Sequence, residues 1–160
     1  MKRALFGLSI LLILFLLWFN WSTRYGAAKP VLEPISTPVI TALDSDKLFS
    51  LVQGWRSENN LPKYIVDNRL CEIASNRAAE IVNNFSHQGL YEEYSNYPYV
   101  IQENLAENFV SEQKVLTAWI GSPTHLAILK FPYKYSCLVC TSLYCSEIFS
   151  SFKTDKNNPY

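Results

Sequence analysis

A chain of 160 residues with 14 basic and 14 acidic side chains has no formal net charge, and its Lys and Arg residues do not cluster. That balance excludes nucleic acid as the main partner, because phosphate recognition leaves a basic footprint. The length allows one modest folded domain, and no internal repeat argues for an array.

The chain opens with Met1-Lys2-Arg3, then runs from Ala4 to Trp21 with scarcely a polar side chain. At helical rise this run crosses most of a bilayer's hydrocarbon core. Trp18 and Trp21 fall where amphipathic rings favour the headgroup region. Residues 1–22 are therefore read as a transmembrane anchor, with a cleaved signal peptide as the alternative, since Gly26-Ala27-Ala28 supplies small residues for cleavage. Lys2 and Arg3 on one side face Arg24 and Lys29 on the other, so charge sets orientation only weakly. The four cysteines, Cys71, Cys137, Cys140 and Cys145, add a second argument, because paired thiols suit an oxidising compartment. Both hints place the domain outside the cytoplasm, anchored to the membrane or, if the leader is cleaved, secreted.

Residues 23–43 contain Pro30, Pro34 and Pro38 and few aromatics, the composition of an extended tether. The folded domain then spans 44–153, followed by a polar tail at 154–160. Asp44 and Ser45 can cap a first helix to about Glu58, with Leu48, Leu51, Val52 and Trp55 at helical spacing. Asp67 can cap a second, in which Leu70, Ala74, Ala78, Ile81, Val82 and Phe85 form the apolar stripe while Glu72, Asn76, Arg77, Glu80 and Asn83 face water. That helix is predicted to end near His87, with Gly89 to stop it. Residues 88–101, crowded with Tyr91, Tyr94, Tyr97 and Tyr99, read as a loop whose rings cover the core or rim a cleft. Ser111 can cap a third helix that buries Val115, Leu116, Trp119 and Ile120, and Ser122-Pro123 can start a fourth that runs through Leu129.

Two β-branched and aromatic runs, 135–140 and 144–149, close the domain as an antiparallel hairpin. Helices followed by a hairpin make the fold class α+β. If the turn centres on Ser142-Leu143, Cys140 faces Cys145 and Cys71 is left to reach Cys137; four cysteines allow three connectivities.

The chain has only two histidines, and each sits in a short phrase: Phe85-Ser86-His87 and Ser122-Pro123-Thr124-His125, with Gln102-Glu103-Asn104-Leu105-Ala106 between them. If the fold joins these phrases, two imidazoles and a carboxylate share one hollow. Such a set can ligate zinc or a similar divalent metal with a position left open. It can equally form a hydrogen-bonded network in which Glu103 accepts from both rings. His125 would stand in the first turn of its helix, where the dipole disfavours the imidazolium. No G-x-S-x-G elbow or H-E-x-x-H helix supports a serine hydrolase or a zinc protease. A cysteine hydrolase pairing a thiol with His87 or His125 is the more serious enzyme alternative.

Four phrases, Phe85-Ser86-His87, Glu103-Asn104-Leu105-Ala106, Trp119 to His125 and Tyr144 to Phe149, resemble in order and approximate spacing the CAP superfamily, or SCP/TAPS domain, in its compact bacterial form. The resemblance covers nearly all of 48–149. It implies an α-β-α sandwich with a small antiparallel sheet and a central cleft lined by His87, Glu103 and His125. It also implies a ligand such as a lipid or a cell-envelope glycan, or a divalent metal, held by those three residues. This chain departs from the pattern at Gln102, where a glycine is usual, at Leu126 for an arginine, and at Glu147 for a glutamine. The further Glu and His of larger relatives have no counterpart. A membrane-tethered binding domain is the favoured reading, ahead of a metal- or cysteine-dependent hydrolase at the cell envelope.

Overall fold

The computed structural model describes residues 41–94 and 101–153. The membrane segment read at 1–22, most of the linker, the tail at 154–160, and Tyr97 and Tyr99 lie outside the described residues. Among the described residues no helix is long and apolar enough to cross a membrane.

Helix α1 (Ser45–Glu58) starts where predicted, with Asp44 Oδ1 accepting from the Lys47 amide at 3.0 Å, and buries Leu48, Val52 and Arg56. Asn60, with φ of 58°, turns the chain away from the helix axis. A two-residue strand, β1 (Ile65–Val66), precedes α2 (Asn68–Glu80), whose N-terminus is capped by the Asp67 side chain. This helix stops at Glu80, short of the His87 expected from the apolar spacing. Arg77, placed on the wet face by that spacing, is fully buried instead. Its Nη2 donates to the Ser86 carbonyl at 2.5 Å, which pins the 84–87 segment back across the helix end.

Residues 88–94, expected as loop, form the short helix α3 (Gln88–Tyr94). The Ser86 hydroxyl accepts from the Gln88 amide at 3.0 Å, and Leu90 and Tyr94, one turn apart, pack into the core. Strand β2 (Ile101–Ala106) follows, then α4 (Glu112–Gly121) and α5 (Pro123–Lys130). Ser111 and Ser122 hold the capping positions of α4 and α5 without a side-chain capping bond. The α1 and α4 starts are fastened together: Glu112 accepts from the Asp44 amide at 3.0 Å and from Lys47 Nζ at 2.7 Å.

The chain closes with the hairpin β3 (Tyr135–Thr141) and β4 (Tyr144–Ser150). Ser142, with φ of 55°, supplies the bend; its carbonyl accepts from the Leu43 amide at 2.8 Å and that of Leu143 from the Asn108 amide at 3.0 Å. The sheet order is β1-β3-β4-β2, and β1 runs parallel to β3, so the expected antiparallel sheet is mixed at one edge. Helices cover both faces. Leu48, Val52, Val115, Trp119 and Leu129 pack on one with Leu138, Cys145 and Phe149, whereas Leu70, Ile73, Ala74 and Leu90 pack on the other with Cys137 and Ile148. Each layer carries a staple: Cys71–Cys137 joins α2 to β3 across 66 positions, and Cys140–Cys145 joins the hairpin strands across five.

Candidate functional site

Strand β2 lies at the sheet edge opposite β1, and its alternation sends successive side chains to opposite layers. Glu103 turns toward α2, where Arg77 grips it with both arms: Nε donates to Oε2 and Nη2 to Oε1, each at 3.0 Å. Both residues are buried, Arg77 completely, so this is a bidentate ion pair in the interior. Nη1 of Arg77 also pairs with Glu80. Gly89 makes this packing possible, because a Cβ there would strike the Arg77 guanidinium and the Glu80 carboxylate.

Glu103 Oε1 also meets Nδ1 of His87 at 2.9 Å. A carboxylate only accepts, so Nδ1 is the donor of this bond, an assignment made from the bonding. His87 is half exposed at 48 %, so the ring is oriented by a buried carboxylate yet reachable from solvent. His125, in the first turn of α5, stands with its ring centroid 6.5 Å from that of His87. Burial, and then the neighbouring His87, lower its pKa below the ordinary 6.5. The helix dipole invoked from the sequence is not among these two causes. On the other side of β2, Asn104 Nδ2 donates to the His125 carbonyl at 3.4 Å and ties α5 to the strand.

The three sequence-predicted residues therefore meet in one hollow. His87, Tyr91, Gln102, Glu103, Thr124, His125 and Ile128 line a solvent-open pocket with about 360 Å3 of empty space. Gln102, which replaces the usual glycine, is part of that lining. Tyr91 reaches the rim, whereas Tyr94 is buried in the core. Arg77 was missed, although a signal was present: it lies three residues beyond Ala74 and four beyond Ile73, within the apolar stripe of α2.

The donor set does not fit the zinc centre expected from His87, Glu103 and His125. Both Glu103 oxygens are engaged by Arg77, and among the described residues no group of three or more His, Cys, Asp or Glu side chains is placed to hold a metal ion. Nor is a thiol nucleophile at hand, since all four cysteines are oxidised in the pairing Cys71–Cys137 and Cys140–Cys145. The disulfide pairing is as read from the hairpin.

A helix-covered mixed sheet, stapled by disulfides, with a two-histidine cleft at its edge strand defines a CAP-type domain. The model of the Cysteine-rich secretory protein (CAP) family matches residues 49–131, more than half of the chain, and the protein belongs to that family. The fold is similar to that of a cysteine-rich secretory protein from Staphylococcus aureus subsp. aureus Mu50, with 21% identity and a TM-score of 0.60 over 67% of this chain. It is likewise similar to an extracellular protein containing an SCP domain from Bacillus anthracis, with 19% identity and a TM-score of 0.60 over 68% of this chain. An outer surface protein from Borrelia burgdorferi gives 20% identity and a TM-score of 0.57 over 68% of this chain. The match spans 38% and 40% of the first two proteins and 92% of the third. No curated protein sequence matches.

Proposed function

We propose that this CAP domain works outside the cytoplasm, tethered through its apolar N-terminus, and binds a cell-envelope glycan in the His87–His125 pocket. The observation that carries the reading is the chain Arg77, Glu103, His87. A buried ion pair fixes one imidazole so that its Nε2 is offered to a ligand rather than to the protein. Beside it stand a neutral His125, the Thr124 hydroxyl and the Gln102 amide, while the exposed Tyr91 ring lies at the rim. Paired donors and acceptors next to a flat aromatic face suit sugar hydroxyls on a pyranose ring. Support for the location comes from the two disulfides and from relatives described as extracellular and outer-surface proteins.

The test follows the His87 and His125 ring signals by NMR in the full chain while soluble envelope glycan fragments, or short-chain phospholipids, are added. Saturable shifts of both rings with the glycan, lost in His125→Ala, are expected. Shifts with the phospholipid alone would transfer the site to a lipid. No shift with either would overturn ligand binding in this pocket.

A further inference from the structure

Behind the pocket, on the other face of the sheet from Glu103, lies a second buried acidic residue. Glu147 in β4 is fully buried. Its Oε1 accepts from the Ser136 hydroxyl at 3.0 Å, whereas Oε2 has no partner. Directly across the β2·β4 ladder stands Asn104, and register places both side chains on one face. Asn104 spends its Nδ2 on the His125 carbonyl, so its Oδ1 is an acceptor, and that atom too is buried without a partner. Two facing acceptors are both left wanting a hydrogen, and one proton on the carboxyl would satisfy the pair.

We propose that Glu147 acts as a neutral carboxylic acid, donating from Oε2 to Asn104 Oδ1, and so positions the Asn104 amide that holds the His125 end of the pocket. The groups facing it agree with this form. From α1, Arg56 points the same way: its Nε donates to the Pro62 carbonyl and its Nη1 to the Tyr64 hydroxyl and the Leu129 carbonyl, while its Nη2 is buried without a partner and is the donor that competes with a carboxyl proton for these acceptors. Arg56 makes no ion pair with Glu147. Tyr64 and Tyr133 are neutral hydroxyls whose pKa values burial raises, Ser136 comes from β3, and α5 presents the Leu129 carbonyl. Burial pushes the Glu147 carboxyl up to about 8, outweighing the opposing pull of Ser136 and of Arg56. At pH 7 the neutral form is then favoured. A carboxylic acid held neutral in an apolar setting is an established way to build a donor. A glutamine would bond in the same way, its carbonyl accepting from Ser136 and its amide donating to Asn104.

Glu147 is thus a positioning residue, and its influence on binding rests on the pocket reading above. The bonding itself is tested without any ligand. In the full chain, the 13C carboxyl signal of Glu147 and the side-chain amide signals of Asn104 are followed from pH 5 to 10, together with thermal stability. The wild type is expected to hold a protonated Glu147 at pH 7, to lose stability as pH rises from the ordinary carboxyl range to about 8 and no further above it, and to shift the His125 ring signals as the folded carboxyl ionises. Glu147→Gln is expected to keep the neutral-pH signals of Asn104 and His125 and to abolish both changes. An ionised Glu147 at pH 7 in the wild type, or a Glu147→Gln chain less stable than wild type at pH 7, would overturn the proposal. Because the wild-type signal is read directly, failure of the variant to fold leaves the question decidable.

Discussion

The two faces of the sheet each bury an arginine and a glutamate, and they solve the same electrostatic problem in opposite ways. In the α2 layer, Arg77 and Glu103 meet in a bidentate ion pair, so both charges are retained in the interior. In the α1 layer, Arg56 bonds the Tyr64 hydroxyl and carbonyls through Nε and Nη1 and forms no ion pair, and Glu147 is left with one hydroxyl partner and a raised pKa. The difference follows from geometry: a carboxylate gripped by both arms of a guanidinium stays ionic, whereas one buried without such a grip favours its proton. The ionic layer carries the exposed His87 of the pocket, and the neutral layer supports His125 from behind.

Breaking the ionic side should have the largest effect. Arg77→Leu leaves the buried Glu103 without its guanidinium, with only the half-exposed His87 as partner, and is expected to cost about 3–5 kcal/mol of stability, measured by urea unfolding. The same change at position 56 removes hydrogen bonds but orphans no charge, so Arg56→Leu is expected to cost only about 1–3 kcal/mol. An equal cost for the two would erase the distinction between the layers. The staples should separate similarly. Replacing Cys71 and Cys137 with Ser opens a loop closed across 66 positions and is expected to cost about 4 kcal/mol, whereas the pair across five positions is worth about 2 kcal/mol. Denaturant midpoints of the two double variants, with the other disulfide intact in each, make that comparison.

Much of this arrangement could be read from residue patterns, and what could not has a common cause. Period 3.6 placed α1, α4 and α5, and Asp44 and Asp67 marked the first two helix starts in the sequence. The hairpin and its cysteine pairing followed from the short turn at Ser142-Leu143. His87, Glu103 and His125 were found through their phrases, but the ion pair of Glu103 was not foreseen because its partner Arg77 was assigned to solvent. Arginine on an apolar stripe looks like an interruption, and only a distant carboxylate reveals it as buried; for Arg77 that partner lies 26 residues away. The mixed edge of the sheet escaped for a similar reason. Ile65 and Val66 are too short a run to announce a strand, and their pairing with Tyr135 and Ser136 depends on tertiary closure.

The smallest expected effect concerns His125, and it separates the two histidines by their surroundings. A ring whose folded pKa lies below its ordinary 6.5 binds protons less readily folded than unfolded. Stability tied to it is therefore fully present above pH 6.5 and lost as pH falls toward the lowered folded value, below which no further loss accrues. His125→Gln should flatten the stability profile in that acid window. The two causes of the depression can be divided by a second variant: His87→Gln removes the neighbouring charge but not the burial, so the His125 ring should titrate somewhat higher yet remain below 6.5. The NMR titration of the remaining ring in each variant reads this out. A His125 pKa that returns fully to its ordinary value in His87→Gln would make the paired imidazole, rather than the desolvating wall of α5, the group that keeps the ring neutral.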